Sequence, residues 1–302
     1  MSATLSPFAC DVCGSMEAAE IPVVPDYSGG QTLHTCTQCG FVFAHMRRSD
    51  EAIKKDWAES MFGDAFDVEQ TENTGYTGYT AKVPAVTARL TYALENFDTL
   101  VGFKGKKVCD IGAGEGDFLE MIKSRKNPES VFGVEPSVEN CRLLDGMGIS
   151  CFAGGVEEYI AHPDTKKGAF DFIGLNWTLE NTQNARRVIE AVYDLLPVGG
   201  YLQVATGSRI LVPFKKPLHY YFNPRNPVDL HSFHFSANAL CGLLGSVGFD
   251  PIHVNRYIDT DYLVVIGKKM ESGAKKPWPR DDYTRVIAFF ERWKKETDEN
   301  YL

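Results

Sequence analysis

Residues 106–118 read Lys-Lys-Val-Cys-Asp-Ile-Gly-Ala-Gly-Glu-Gly-Asp-Phe, and the rest of the fold can be worked out from this stretch. Residues 108–111 predict a short buried strand, apolar except for Asp110 near its end. Three glycines follow at alternate positions, and a residue without a side chain allows both a tight turn and the close approach of a ligand. A helical pattern begins at Phe118. Strand, glycine turn and helix in this order form the nucleotide-binding unit of a doubly wound α/β fold.

The spacing of these glycines argues against a dinucleotide as the ligand. A pyrophosphate site has the pattern G-x-G-x-x-G, with a helix N-terminus facing two phosphates, whereas this turn reads G-x-G-x-G. The carboxylates of Asp110, Glu115 and Asp117 stand in or beside the turn. They would repel phosphate, so a cationic ligand with an amino group is expected.

The segments that follow continue the same alternating pattern. A second predicted strand, 131–135, ends in Glu135, 19 residues after the last glycine, where a carboxylate can accept both ribose hydroxyls of a nucleoside. Further apolar segments occur at 149–153, at 170–176 and at 195–205. Five elements in this order predict one continuous parallel sheet.

These motifs carry a resemblance to a known family. Asp-x-Gly-x-Gly-x-Gly resembles the first motif of the class I S-adenosylmethionine methyltransferases. Residues 177–184 are similar to that family's "V-L-E-H-V-x-D/N-P" stretch, with Asn181 where His is usual, and residues 195–205 are similar to its "L-x-P-G-G-x-L-x-V" turn and strand. The resemblance covers roughly residues 105–268. A nucleotide-binding α/β domain with another ligand is the alternative.

The resemblance implies S-adenosyl-L-methionine as cofactor. It places Asp110 near the methionine end, Glu135 on the ribose, and Val156 with Trp177 along the adenine or the cleft. The implied cofactor-binding residues are Asp110, Gly112, Ala113, Gly114, Gly116, Glu135, Pro136, Gly155, Val156, Asn176 and Trp177.

Composition limits the class of protein. The chain has 302 residues and a net charge of −9, whereas nucleic-acid enzymes usually carry a basic face, so a nucleic-acid partner is not expected. There is no run of 18 apolar residues, and the N-terminus lacks the regions of a signal peptide, so we expect a cytoplasmic protein without a membrane contact. Nothing in the sequence indicates an oligomeric state.

Four of the eight cysteines form two C-x-x-C-G motifs, with 22 residues between Cys13 and Cys36. Each motif can present two thiolates to one ion, and four thiolates in a tetrahedron suit Zn(II). Residues 1–48 therefore predict a zinc ribbon, with hairpin strands expected at 21–25 and 32–34. A redox dithiol and an iron–sulfur centre are the rival interpretations. The four predicted zinc ligands are Cys10, Cys13, Cys36 and Cys39.

The remaining cysteines, Cys109, Cys141, Cys151 and Cys241, stand singly in apolar or helical contexts. Without an export signal, four buried thiols in a reducing compartment are expected. The predicted fold is α/β, a doubly wound seven-stranded Rossmann-like methyltransferase sheet with a small N-terminal zinc ribbon and a helical linker.

Residues 49–100 predict that linker, which includes a polar, glycine-punctuated loop with Tyr76 and Tyr79. A four-cysteine ribbon, such a linker and a class I core together resemble the deoxysugar C-methyltransferases and related enzymes of sugar and polysaccharide pathways. In that family the tyrosine loop lies by the substrate, so the resemblance implies catalytic roles for both tyrosines. Packing of their rings on the core is the alternative.

Residues 101–270 predict the methyltransferase core, and its segment 207–235 is a long connection rich in proline and aromatic residues. Long ordered loops at the C-terminal ends of parallel strands are usually functional. His231-Ser-Phe-His-Phe-Ser resembles the family's "His-x-x-x-Phe-Thr/Ser" at the substrate pocket, so His231 is the first candidate for a general base and His234 the second. Packing under the following helix is the alternative for either histidine.

Residues 271–302 predict a linker and an amphipathic C-terminal helix. The resembling sugar C-methyltransferases continue beyond such a helix into a further domain, whereas this sequence ends. Either it is a shorter relative with another acceptor, or the sequence is truncated. This departure favours O-methylation over C-methylation of a sugar, a sugar nucleotide or a related small molecule. The rival functions are an RNA or protein methyltransferase that reads its substrate with the ribbon, and a non-catalytic scaffold. A ketone-reducing dehydrogenase is disfavoured by the glycine spacing.

Overall fold

The computed structural model describes residues 5–28, 30–47, 84–213, 216–222, 231–257 and 262–301. The predicted tyrosine loop, with Tyr76 and Tyr79, and most of the predicted linker lie outside these residues. In chain order the elements are β1 (Ser6–Pro7), β2 (Ala18–Glu20), β3 (His34–Cys36), β4 (Val42–Phe43), β5 (Met46–Arg47), α1 (Pro84–Leu100), β6 (Lys107–Ile111), α2 (Asp117–Arg125), β7 (Ser130–Glu135), α3 (Val138–Gly146), β8 (Ser150–Ala153), α4 (Val156–Ala161), β9 (Phe172–Asn176), a 3-10 turn (Leu179–Asn181), α5 (Ala185–Leu195), β10 (Tyr201–Thr206), α6 (Leu218–Tyr221), β11 (Phe233–His234), α7 (Ala237–Val247), β12 (Phe249–Val254), β13 (Leu263–Lys269) and α8 (Tyr283–Asn300).

The central sheet has seven strands in the order β12-β13-β10-β9-β6-β7-β8. Neighbours from β10 to β8 run parallel, while β13 is antiparallel to both β10 and β12. The central strands are buried on both faces, which is why they read as nearly continuous apolar runs. The predicted α/β fold with a doubly wound seven-stranded sheet is confirmed.

Each face of the sheet has its own apolar cluster. On one face, Phe97 and Phe103 beside α1 pack against Phe118 and Phe172, with ring centroids 4.3 to 6.5 Å apart. The opposite cluster joins α5 and α7 to the sheet and extends into the four-cysteine region. The ribbon region and the core therefore share one continuous apolar interior.

A second sheet connects the ribbon to the core. It has the order β11-β4-β3-β2, so a strand from the long core loop lies beside three strands of the N-terminal region. The rings of Phe41, Phe43, Phe233 and Phe235 pack together on one side of this sheet. Residues 21–25, predicted as a strand, instead form turns after β2, because Pro22 and Pro25 lack the N–H that a strand ladder needs.

Helix α8 also packs against the ribbon. Its buried residues include Phe290 and Trp293, which pack in one cluster with Ile21 and Leu33 of the ribbon. The apolar stripe predicted for the C-terminal helix is confirmed, and the ribbon is its partner. Among the described residues, no helix combines the length and the apolar character required to cross a membrane.

The prediction of four single buried thiols is wrong for two of them. Cys141 on α3 and Cys151 on β8 form a disulfide, with their Cα atoms 5.4 Å apart. Ten residues separate them, and the turn between α3 and β8 brings the helix back against its own strand, which the sequence pattern did not reveal. Cys109 and Cys241 are buried free cysteines, as predicted.

Candidate functional site

The glycine turn between β6 and α2 has the open geometry of a ligand cradle. Gly112, Gly114 and Gly116 all have positive φ, at 72°, 55° and 86°. A Cβ atom on Gly112 would collide with Thr178, and one on Gly116 would lie 2.9 Å from the side chain of Leu144. At Gly114 the same atom would meet no described atom within 4 Å. Two glycines therefore serve packing, and Gly114 faces open space that a cofactor can fill.

Glu135 closes one side of this cradle at the end of β7. Its Oε2 accepts a hydrogen bond from the backbone N–H of Gly114 at 2.9 Å, and its Oε1 accepts one from Ser137 at 3.0 Å. Burial raises the pKa of this carboxyl, and the two backbone N–H groups act against that rise. A carboxylate fixed beside the glycine turn is the group expected to receive ribose hydroxyls.

Asp110 lies on the other side of the cradle, near the end of β6. Its Oδ1 accepts a hydrogen bond from Nδ2 of Asn176 at 3.0 Å, and both side chains are buried. Burial raises the pKa of Asp110 well above its ordinary value, the Asn176 amide opposes this, and the charge of Glu135 adds to the rise. The site thus brings together two predicted residues from neighbouring parallel strands.

The remaining predicted cofactor residues surround the same ends of the parallel strands. Ala113 is buried within the glycine turn, and Pro136 is exposed directly after β7. Val156 is buried at the start of α4, where the backbone N–H of Gly155 donates to Glu158 at 2.9 Å. That these residues line the adenosine moiety stays a prediction.

Trp177 follows β9 in a conformation that side-chain-bearing residues seldom adopt, with φ at 55°. Its backbone N–H donates to Ala205 at 2.7 Å, which fixes it to the end of β10. The guanidinium of Arg89 lies 4.6 Å from its ring centre, and the ring of Tyr262 meets it edge-on at 5.2 Å. Arg89 comes from α1, and no sequence motif marked it.

The two candidate bases occupy different environments. His231 is half-buried, and its Nδ1 shares a short hydrogen bond with Oγ of Ser208, just after β10. His234 is 2% exposed within β11, where Nδ1 and the hydroxyl of Tyr221 are 3.0 Å apart. Burial lowers the pKa of His231 to about 4. His231 therefore lies at the strand ends, whereas His234 lies inside the sheet shared with the ribbon.

Glu180 is a buried carboxyl at the site that sequence reasoning did not select. It sits in the 3-10 turn after β9 and is fully buried, and within the described part of the chain neither oxygen has a hydrogen-bond partner. Burial raises the pKa of Glu180 to about 7. Its position inside the motif at 177–184 was the available signal.

The four predicted zinc ligands converge in the ribbon. Sγ of Cys10 lies 3.5 Å from Sγ of Cys39, and Sγ of Cys13 lies 3.5 Å from Sγ of Cys36. All four sulfur atoms lie within 4.8 Å of one another. Zn–S bonds of about 2.3 Å in a tetrahedron require sulfur separations near 3.8 Å, so the donor set fits a Zn(II) ion.

Charged side chains hold the four-cysteine region against the core. Arg47 pairs with Asp11, which follows the first ligand, at 2.8 Å, and both side chains are almost fully buried. Arg186 on α5 donates to the backbone carbonyls of Asp11 and Val12 at 2.7 and 2.6 Å. The first C-x-x-C turn is therefore held against the helix that follows β9.

Known proteins resemble the chain mainly over its core. The methyltransferase-domain family matches residues 84–254, more than half of the chain. A ubiquinone biosynthesis O-methyltransferase of Shewanella pealeana is 32% identical over 119 residues, which are 37% of this chain and 48% of that protein. The chain thus matches about half of the length of this relative.

Two solved structures add fold-level similarity. The 1,6-didemethyltoxoflavin-N1-methyltransferase of Burkholderia thailandensis is 15% identical, with a TM-score of 0.50 over 76% of this chain and 96% of that one. A possible histamine N-methyltransferase of Thermotoga maritima is 21% identical, with a TM-score of 0.46 over 61% and 91%. With the glycine turn, the two strand-end acids and the family match over residues 84–254, the chain belongs to the family of class I S-adenosylmethionine-dependent methyltransferases.

Proposed function

We propose that this protein transfers the methyl group of S-adenosylmethionine to a hydroxyl of a small-molecule acceptor, and that this acceptor is a sugar or a sugar nucleotide. The observation that carries the proposal is the arrangement at the ends of the parallel strands. The open turn at Gly114, flanked by Glu135 and Asp110, supplies a cofactor cradle, and His231 is held by Ser208, two residues after the end of β10.

Each residue has a distinct task in this proposal. Glu135 holds the ribose, and Asp110 receives the amino group of the methionine end. The bound cofactor supplies an electrophilic methyl on a sulfonium centre, so positioning of the acceptor and exclusion of water account for most of the catalysis. The aromatic wall at Trp177 suits a positive charge nearby.

His231 is the proposed general base. Its Nδ1 is engaged by Ser208, so Nε2 is the nitrogen that can take the acceptor's proton. With a pKa lowered to about 4, the ring is neutral at pH 7 and is a weak base. It is therefore suited to accept the proton as the methyl group is transferred, rather than before it.

The sugar acceptor rests on the combination of ribbon, core and long loop. Strand β11 of that loop pairs with β4 of the ribbon, directly after His231, so the ribbon supports the segment expected at the acceptor. A phenolic acceptor is the second candidate, because the relative from Shewanella pealeana is named as a ubiquinone biosynthesis O-methyltransferase.

A zinc ion is part of the proposal, with a structural role. Four cysteine ligands leave no coordination position open for a substrate, which is the pattern of structural rather than catalytic zinc. The ion would fix the two C-x-x-C turns, and through β4 and Asp11 it would stabilise the contact with the core.

Calorimetric titration of S-adenosylmethionine into the full chain, after zinc has been measured, tests the first step. We expect about one zinc per chain, micromolar binding, and loss of binding in Glu135→Gln and Asp110→Asn. Glu129→Gln, an exposed carboxylate at the other end of β7, is the matched control. A folded, zinc-loaded protein that does not bind the cofactor would contradict the enzyme proposal and favour a scaffold.

The acceptor is tested next by release of S-adenosylhomocysteine with two panels, one of nucleotide sugars and sugar phosphates and one of catechols. Turnover confined to the first panel supports the sugar acceptor, and turnover confined to the second replaces it with a phenol. In either case the product's methyl ether distinguishes O-methylation from C-methylation.

A further inference from the structure

Three buried polar side chains form a chain of hydrogen bonds across the central sheet. Nε2 of Gln203 on β10 donates to Oδ1 of Asn176 on β9 at 3.3 Å. Nδ2 of Asn176 in turn donates to Oδ1 of Asp110 on β6 at 3.0 Å. All three residues are buried, and Gln203 has no exposed surface. A glutamine buried between Leu202 and Val204 in the middle of this strand requires a physical reason.

Gly174 provides the space for this chain. It is the register partner of Asp110 on one side and of Gln203 on the other. Asp110, Gly174 and Gln203 therefore lie in one row across the sheet. A Cβ atom on Gly174 would lie 2.7 Å from Oδ1 of Asp110 and 2.8 Å from Nδ2 of Asn176. Glycine weakens a strand interior, and here it is the residue that permits the two side chains to meet.

The direction of these two hydrogen bonds decides which group of the Asn176 amide faces Asp110. An amide has one face that donates and one that accepts. Because Gln203 donates to the oxygen of Asn176, the NH₂ group of Asn176 points to Asp110. The reversed amide would place an oxygen against the carboxylate. A donor at this point favours the charged form of a carboxyl that burial otherwise disfavours.

Gln203 satisfies only part of its own hydrogen-bonding capacity in this arrangement. Its Oε1 is buried and has no hydrogen-bond partner among the described residues. A methionine or leucine at this position would avoid the free-energy cost of burying an oxygen without a hydrogen bond. A glutamine at this position is therefore explained by the hydrogen bond that its Nε2 donates to Asn176 rather than by packing.

We propose that Gln203 is a positioning residue for the methionine end of the cofactor, which turns the Asn176 amide so that Asp110 is held as a charged partner for the cofactor's amino group. The inference rests on the proposed function, because that function assigns Asp110 to the amino group. Gln203 itself touches no part of the ligand. Gly174 contributes to this arrangement, because its missing side chain leaves space for the Asn176–Asp110 hydrogen bond.

Two ligands separate this role from a general contribution to the fold. S-adenosylmethionine carries the amino group, whereas 5′-methylthioadenosine shares the adenosine and the sulfur but lacks the amino acid portion. Their dissociation constants are measured by calorimetry on the full, zinc-loaded chain and on Gln203→Met. We expect the variant to bind S-adenosylmethionine at least about tenfold more weakly, with 5′-methylthioadenosine changed less than about twofold.

A matched control and a second variant complete the test. Gln183→Met removes another buried glutamine with an unpartnered Oε1, outside the three-residue chain, and should leave both constants unchanged. If Gln203→Met does not fold, Gln203→Leu makes the same test, since it also removes the Nε2 group that donates to Asn176.

Other outcomes overturn the inference. Equal weakening of both ligands would show a structural role only, and unchanged binding of both would show that Asn176 keeps its orientation without Gln203. Failure of the unmodified chain to bind either ligand would instead overturn the proposed function, and this inference with it.

Discussion

Phe233, in the loop after the fifth parallel strand, and Phe43, in the ribbon, are register partners on adjacent antiparallel strands. This pair joins the N-terminal region to the segment that carries His231. The four-cysteine region therefore supports the loop at residues 207–235, and we expect a disturbance of this region to reach that loop.

Loss of zinc should unfold more than the ribbon. Cys10, Cys36 and Cys39 are buried in the same apolar cluster as α5 and α7. We expect Cys36→Ala to lose the metal and to lower the midpoint of thermal unfolding by more than about 10 °C, because binding of structural zinc is coupled to folding. Scanning calorimetry and metal analysis measure both effects.

Cys241→Ala is the control for that experiment. It removes a fully buried free thiol from the same cluster without touching the four ligands. It should keep one zinc per chain and shift the midpoint by less than Cys36→Ala does. Equal shifts in the two variants would show that packing, and not the metal, accounts for the loss.

Breaking the buried Arg47–Asp11 pair should be costly. Removal of one partner leaves the other charge buried and uncompensated, so Arg47→Met should lower the free energy of unfolding by about 3–5 kcal/mol in chemical denaturation. Lys126→Met breaks the partly exposed pair with Asp98 and should cost about 0–1 kcal/mol. Similar costs for the two variants would contradict the importance assigned to burial.

Gly114→Ala should separate cofactor binding from folding. The new methyl group meets no described atom but enters the proposed cradle, so we expect S-adenosylmethionine affinity to fall sharply. Gly105→Ala is matched in backbone strain, with φ at 70° and no described atom near its Cβ. Both should lose about 1 kcal/mol of stability, while Gly105→Ala keeps its affinity. Calorimetric titration measures the affinity of each variant for S-adenosylmethionine. Equal affinities in Gly114→Ala and Gly105→Ala would show that the cofactor does not bind at this turn.

Glu180 should make stability depend on pH. Its pKa rises from the ordinary 4.5 to about 7 on folding, so between these values the folded chain keeps a proton that the unfolded chain has released. The free energy of unfolding should therefore fall as pH rises from about 4.5 to about 7, by up to about 3 kcal/mol. Glu180→Gln should remove this slope in denaturation curves, and Glu129→Gln should not. If the free energy of unfolding of Glu180→Gln still fell with rising pH, the effect would not come from Glu180.

The two histidines should differ in what their loss affects. His231→Asn should lower kcat by at least about 100-fold with unchanged cofactor affinity, whereas His234→Asn, inside the shared sheet, should lower the unfolding midpoint. Because the pKa of His231 is near 4, its protonation should reduce turnover only as pH falls toward 4, with no loss between pH 8 and 6. Steady-state rates across pH test this. A loss of turnover centred near pH 6.5 would contradict the lowered pKa of His231.

Much of the core follows from local pattern. The strand at Lys107–Ile111, the turn after it and the acid at the end of Ser130–Glu135 were predictable, because apolar runs, glycines and strand-end acids are local signals. The seven-stranded sheet was predicted from the family resemblance. The two C-x-x-C motifs likewise predicted one cluster, since each motif is a self-contained turn.

The contacts between distant segments were not predictable. Arg89 beside Trp177, the amide chain from Gln203 to Asp110, and the Cys141–Cys151 bond each join different elements. Such contacts depend on which faces the elements turn to one another, and periodicity reports only that a face is buried. The glutamine in β10 and the glycine in β9 were visible irregularities, but only the register between the strands shows that they serve the same hydrogen bond.

The amino-acid sequence by itself determined the strand, glycine turn and helix at residues 107–125, the acid at the end of the next strand and the two C-x-x-C turns, because each depends on residues close together in the chain. The tertiary structure alone decided that β11 joins the ribbon sheet, which leaves His231 at the strand ends and His234 inside that sheet. The physical reason is that a strand must pair its backbone hydrogen bonds with a neighbour, and the neighbour was supplied by a segment nearly two hundred residues away in the chain.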